Sequence, residues 1–429
     1  MSEITAKGWC PGALAPMLSG DGYIFRLRLT NGVLSFERAK TFSRLARRFG
    51  NGAFDLSARA NLQMRGVGAQ NIAPLQRELS ALGLLDPDAR AEAVRNIVPS
   101  PLAGFDPTAV IDARPLVVAL EALLLREKAL HDLPAKFGFS VDGGGALPLA
   151  GVVTDVDFKA VSGGAAPRLR IALGGVEAGW AAPENIGAAA EILARNFLDL
   201  RQNDRRMSAL VARLGVEPLL EGSSAVIARS ADDESIDAAA GAREGEAAPF
   251  RKILGAQNCG KQNFTGAGLL FGRIDADALE ALAEAARESG AAELRLTPWR
   301  ALLAVGLSSQ SARALAARLE KNGFILDAGD PRLVFSACPG APACPSALGD
   351  VRALALALAP HWRSGSGRVH VSGCAKGCAL NARAVTLVAG EGGFSLVPNG
   401  FARDEPVARG LDLAACQQEL HRISAGARV

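Results

Sequence analysis

Slid over itself by 240 positions, this 429-residue chain pairs Ala46 with Ala286, Arg47 with Arg287, Gly50 with Gly290 and Leu56 with Leu296. The match runs on without a gap through Leu62/Leu302, Gly66/Gly306, Gln70/Gln310, Leu75/Leu315, Leu79/Leu319 and Gly83/Gly323. Glycines and leucines that hold register through a whole helix–strand–helix pattern indicate a duplicated unit. In the first copy, YIFRLRLT (23–30) alternates as a strand does, and SFERAKTFSRLARRFG (35–50) has the period of an amphipathic helix stopped by glycine. AFDLSARANLQMRGV (53–67) follows as a strand and its return, then APLQRELSALGL (73–84) as a second helix. Each copy is thus expected to be a small open-faced α+β half-domain, the second spanning about 266–326.

A longer mixed segment follows each copy, roughly 88–220 and 330–429, and these two do not align by eye. Between the halves, ADDESIDAAAGAREGEAAP (231–249) is small and charged, the composition of a linker. The expected layout is a half-domain over 1–87, an α/β domain over 88–230, the linker, a second half-domain over 250–329 and a last α/β domain over 330–429. A formal charge of +3 over this length suggests neither a nucleic-acid groove nor a polybasic membrane anchor. No signal-peptide core opens the chain, and apolar runs such as PLVVALEALLL are too short to span a bilayer, so a cytoplasmic protein is expected.

Four of the seven cysteines fall in CPGAPACP (338–345) and VSGCAKGCALN (372–382). The pattern is C-x5-C followed, thirty positions after its second cysteine, by C-x3-C. In a reducing compartment disulfides are disfavoured, and structural zinc prefers shorter knuckles. Four thiolates on longer, unequal loops suit a 4Fe-4S cube, leaving Cys338, Cys344, Cys374 and Cys378 as its candidate ligands. Pro345 is expected to open a helix over SALGDVRALALALA, placing the Cys344 thiolate at a helix N-terminus. GRVHVSG reads as a strand delivering Cys374 into a loop where Gly340, Gly373 and Gly377 let amides approach sulfur. Zinc and inert buried thiols are the alternatives.

These cysteine pairs resemble the signature of the nitrite/sulfite reductase family, and the resemblance covers nearly the whole chain. It implies a duplicated α+β architecture with pseudo-two-fold symmetry: two ferredoxin-like half-domains and two larger α/β domains. In that family the last cysteine bridges the cluster to sirohaem, and two arginines and two lysines hold the macrocycle and a small anion. SARANLQMRGV offers Arg59, VRNIVPSPLAG offers Arg95 and LPAKFGF offers Lys136. The second lysine is replaced by Gly138, which argues against reduction of sulfite or nitrite.

KGWCPGALAPMLSGDG, FGNGAFDLSARANLQMRGV and HVSGCAKGCALNA are more similar to the family's tetrapyrrole-oxidising branch. That likeness implies an O2-dependent monooxygenase acting on precorrin-3A in aerobic cobalamin synthesis, hydroxylating C20 and closing a γ-lactone. It also implies a 4Fe-4S cluster and non-haem iron, without sirohaem. A macrocycle rimmed by carboxylates calls for guanidinium and ammonium partners: Arg59, Arg65, Arg95, Lys136 and, from the cluster loop, Lys376. The four histidines (131, 361, 370, 421) form no iron-binding motif, and His370 is read as structural. Cys10 is either near the substrate or a buried thiol; Cys259 and Cys416 are read as structural and Trp299 as core. No flavin or nicotinamide motif occurs, so an external reductase is expected. The competing readings are a sirohaem reductase and a non-catalytic electron carrier.

Overall fold

The expected elements of the first copy form where the periodicity places them. In this computed structural model, which describes residues 9–162, 166–229, 250–363 and 365–426, Gly22–Leu27 is a strand. Ser35 caps the helix Phe36–Phe49 by accepting from the Arg38 amide at 3.2 Å, and strands Ala53–Leu56 and Leu62–Val67 and the helix Ile72–Ala81 complete the unit. The linker expected over 231–249 lies outside the described residues.

The second copy repeats the series: strand Gln262–Gly268, helix Ala276–Glu288, strands Glu293–Leu296 and Ala301–Leu307, and helix Ser309–Lys321. Backbone conformation repeats even where residue type does not. Asn31 (φ 58°) and Phe271 (φ 53°) occupy the left-handed region at equivalent positions, as do Ala60 (52°) and Arg300 (57°). A non-glycine residue there is unfavourable, so its recurrence reflects a chain path imposed by the fold.

The two copies are interlocked. The first sheet runs Met17–Ser19, Gly22–Leu27, Leu62–Val67, Ala53–Leu56, then Arg273–Asp275 from the second copy. The second runs Gly255–Cys259, Gln262–Gly268, Ala301–Leu307, Glu293–Leu296, then Val33–Leu34 from the first. Phe36–Phe49 packs on Ala276–Glu288, and one apolar core spans both halves, with Phe25, Phe42, Phe54, Leu279, Leu294 and Leu315 buried in it.

The two larger segments, dissimilar in sequence, share one topology. Ile97–Pro99, Phe139–Asp142 and Val156–Val161 are parallel, followed by antiparallel Arg168–Leu173 and Val176–Ala181. Phe335–Ala337, Val369–Ser372 and Ala384–Gly390 are likewise parallel, followed by antiparallel Gly393–Gly400 and Ala408–Leu411. Duplicated α+β architecture therefore extends over both kinds of domain. Among the described residues no helix is long and apolar enough to cross a membrane.

One expectation is corrected. The helix after Cys344 begins at Val351, capped by Asp350 accepting from Ala353 N at 3.1 Å, and not at Pro345. Residues 341–349 instead turn: Ala341 N bonds Gly349 O (2.9 Å), and Leu348 N bonds Gly373 O (2.9 Å). The first of these bonds closes the loop on itself and the second ties it to the other cysteine loop, and the carboxylate at 350 is the better cap. The Cys344 thiol is thus not at a helix N-terminus.

Candidate functional site

Parallel pairing of Phe335–Ala337 with Val369–Ser372 sets the C-terminal ends of both strands side by side. Both cysteine loops therefore leave the same sheet edge, the edge at which ligands bind in open α/β sheets. Gly373 N points at Cys338 Sγ (3.2 Å), Cys344 N bonds Gly340 O (2.7 Å) and Ser372 Oγ donates to Cys374 O (2.7 Å). Cys338 is buried and Cys378 exposed. Desolvation of the sulfurs, then the neighbouring thiols, hold the Cys338 and Cys378 thiols above their ordinary range. Thiolate charges gathered here would repel one another, and iron, by displacing the thiol protons and binding the sulfurs, would relieve that repulsion. Among the described residues no three His, Cys, Asp or Glu side chains form a group that could hold a single metal ion.

The CPGAPACP loop is bolted to the first half-domain. Ser19 Oγ (2.7 Å), Gly20 N (3.2 Å) and Arg65 Nη2 (3.2 Å) all donate to Ala343 O. Arg65 also pairs with Asp21 (2.7 Å) and Asp55 (3.2 Å). Asp55 in turn pairs with Arg273 (2.9 Å) and Arg352 (3.5 Å), and Arg352 Nε bonds Cys338 O at 3.2 Å. Burial alone would raise the Asp55 carboxyl; the Arg273 bond and the charges of Arg352, Arg273 and Arg65 overcome it and hold the group below its usual range. Arg65 thus faces the chain's own carboxylates and the cysteine loop.

The other expected cations divide. Arg95 is paired with Asp86 (3.0 Å) and Glu121 (3.0 Å). Arg59 Nη2 donates to the Lys136 carbonyl (2.8 Å), so these two are brought together, and the Lys136 ammonium has no partner among the described residues. Lys376 is exposed, its Nζ 3.5 Å from Ser346 Oγ across the two cysteine loops. Gly138 N bonds Asp155 Oδ2 at 3.0 Å, and a β-carbon there would lie 3.3 Å from the Asn96 carbonyl. The family's second lysine is thus absent from a tight spot.

Sequence reasoning missed Arg26 and Arg28. Both are at least nine-tenths buried, and among the described residues Nε and Nη1 of each lack a hydrogen-bond partner. Desolvation lowers the Arg26 pKa and takes Arg28 down to about 10; only Arg28 has a carboxylate, Glu92, at 3.5 Å. Arg26 also lies against the Cys10 thiol and within electrostatic reach of Arg59. Burying guanidinium N–H groups without partners is costly. The signal was present: two arginines two apart on a strand share one face, opposite Phe25 and Leu27. Cys259 and Cys416 are buried, as expected, with thiols pushed up to about 12 and about 11 by desolvation first. Trp299 is core.

Residues 15–82 and 256–322 match the nitrite/sulfite reductase ferredoxin-like half domain, and residues 90–226 match the nitrite and sulphite reductase 4Fe-4S domain. The latter span holds no cysteine; its cysteine-bearing counterpart in topology is the 335–411 sheet. Over 412 residues the chain is 33% identical to precorrin-3B synthase of Sinorhizobium sp., covering 94% of this chain and 85% of that protein. It is 25% identical to the chloroplastic ferredoxin–nitrite reductase of Spinacia oleracea, covering 83% of this chain and 64% of that protein. The solved structure of the Mycobacterium tuberculosis NirA protein shares the fold, with a TM-score of 0.69 at 21% identity over 88% of this chain and 74% of that one.

Proposed function

The chain belongs to the nitrite/sulfite reductase-like family, and from that premise we propose that it is an oxidoreductase of cobalamin biosynthesis, converting precorrin-3A to precorrin-3B with O2. The likeness to precorrin-3B synthase over 94% of the chain carries the reading. In this reaction one oxygen atom enters at C20, the ring A acetate closes a γ-lactone, and the other oxygen leaves as water with two electrons and two protons from an external donor. A cytoplasmic setting is part of the proposal, in keeping with a biosynthetic enzyme.

Arg26 and Arg28, with Arg59 and Lys136 beside them, would receive the macrocycle's carboxylates. The fit is chemical: unmatched buried guanidiniums on one side, a carboxylate rim on the other. Arg95 would stiffen this wall through Asp86 and Glu121, and Arg65 would hold the cysteine loop against it. A 4Fe-4S cluster on Cys338, Cys344, Cys374 and Cys378 would supply one-electron transfer. Lys376, exposed on that loop, is a further cation of the set. Non-haem iron finds no matching ligand set: among the described residues no three side chains of the required kinds converge. Gly138, where the family's reductases carry a lysine, weakens the sirohaem alternative.

The test is anaerobic purification with iron and sulfide analysis and a visible spectrum, followed by turnover of precorrin-3A under 18O2 with a reductant. A broad iron–sulfur envelope and a product carrying label at C20 are expected. Persistent sirohaem bands, with nitrite or sulfite consumed and precorrin-3A unchanged, would overturn the proposal.

A further inference from the structure

His370 occupies the second position of the Val369–Ser372 strand, 1% exposed, and among the described residues neither ring nitrogen has a hydrogen-bond partner. Leaving such a group buried and unmatched is costly, so a histidine that merely fills the core is a poor solution where leucine would serve. Its cross-strand neighbours are Ser336 and Thr386, and the Thr386 hydroxyl is already bonded to Gly400 O at 2.9 Å. The charged groups that act on the ring are Arg300 and Arg368, both cationic, and no carboxylate is among them.

What the ring does face is the second cysteine turn. Gly377, at φ 61°, folds that turn back over the strand, with its amide on Cys374 O at 3.4 Å. A β-carbon on Gly377 would lie 3.4 Å from His370 Cε1. Cε1 is the ring carbon between the two nitrogens, so the edge carrying both of them is the edge against the turn. Arg300 reaches the same turn, its Nη2 3.4 Å from Ala379 O. A buried N–H edge with the half-buried Arg300 and the exposed Arg368 acting on it, beside four thiols, suits one kind of occupant: an electron-rich inorganic anion. In either protonation state the imidazole offers at least one N–H.

We infer that His370 donates a ring N–H to a sulfur of the iron–sulfur centre, either a cluster sulfide or the thiolate of Cys374 or Cys378, and thereby sets its reduction potential. The inference rests on the cluster reading above. A hydrogen bond to sulfur stabilises the reduced, more negative cluster over the oxidised one and so raises the potential. His370 acts through the centre and is a positioning residue.

The experiment is a redox titration followed by electron paramagnetic resonance on the full-length, cluster-loaded protein, H370L and H370Q. Pulsed spectra of wild-type protein carrying 15N-histidine accompany it. A histidine-nitrogen coupling is expected in the reduced wild-type cluster and should vanish in H370L. In H370L the reduced-to-oxidised ratio at fixed potential should fall about tenfold, equivalent to about 59 mV for a one-electron couple. H370Q, whose amide still donates, should recover part of that shift. An H370L protein with full iron and sulfide and an unchanged midpoint, beside a wild-type spectrum lacking the coupling, would overturn the inference. Should neither variant keep its cluster, the wild-type coupling decides alone. Wild-type protein devoid of iron and sulfide after anaerobic reconstitution would instead sink the cluster reading, and this inference with it.

Discussion

Arg26 and Arg65 lie on neighbouring strands of one sheet and are both buried, yet their charges stand in opposite situations. Arg65 is enclosed by Asp21, Asp55 and the Ala343 carbonyl; Arg26 has a thiol and the charge of Arg59 beside it, with Glu92 acting on it only from beyond ion-pair distance. Desolvation opposes both, but the carboxylates overcome it at Arg65, whose pKa is raised, and not at Arg26, whose pKa is lowered. A buried cation whose charge is poorly balanced lowers stability. Arg26→Met should therefore stabilise the ligand-free protein by about 1–3 kcal/mol while abolishing tetrapyrrole binding. Arg65→Met, which takes the guanidinium from Asp21 and leaves Asp55 to Arg273 and Arg352, should destabilise by about 3–5 kcal/mol. Urea unfolding of the two variants measures both; equal destabilisation would mean that Arg26 is an ordinary structural arginine. Sequence motifs ranked Arg65 and Arg95 with Arg59 as substrate cations because they sit in matching segments. Which carboxylates surround an arginine is a long-range fact that no local motif carries.

At the scale of elements, the decisive contact joins the hairpin turn at Gly20 to the CPGAPACP loop, more than 300 residues away in sequence. Gly20 has no unusual φ, so its lack of a side chain is a matter of space: a β-carbon would stand 2.3 Å from the Pro342 carbonyl oxygen. Gly20→Ala must push the loop outward without straining its own backbone. The expected result is a protein with native circular dichroism but markedly less iron and sulfide per chain, and a full complement of both would show that the loop tolerates the shift. Strands and helices of the half-domains were legible because periods of 2 and 3.6 are local properties. The helix after Cys344 was placed too early for the opposite reason. Pro345 is a sound helix opener by itself, but the amides of Ala341 and Leu348 are claimed by Gly349 and Gly373.

Over the whole molecule, exchange of Val33–Leu34 and Arg273–Asp275 between the two half-domain sheets makes neither half complete alone. Polypeptides 1–240 and 241–429 should each be insoluble or unfolded when expressed singly, and should assemble when co-expressed. Size-exclusion chromatography of the separate pieces tests this, and a well-folded isolated first half would show that the shared core is dispensable. The duplication, the strand and helix pattern of each copy and the four spaced cysteines were determined by sequence alone, since repeats and periodicity survive in one dimension. The kinship of the two larger domains was not, because their shared strand order lies in pairings across long connections, and different residues fill the same pleated positions. Nor was the division of labour among the arginines, nor the meeting of His370 with the cysteine turn. Charge balance and contact depend on which distant groups share a buried space, and only the folded chain decides that.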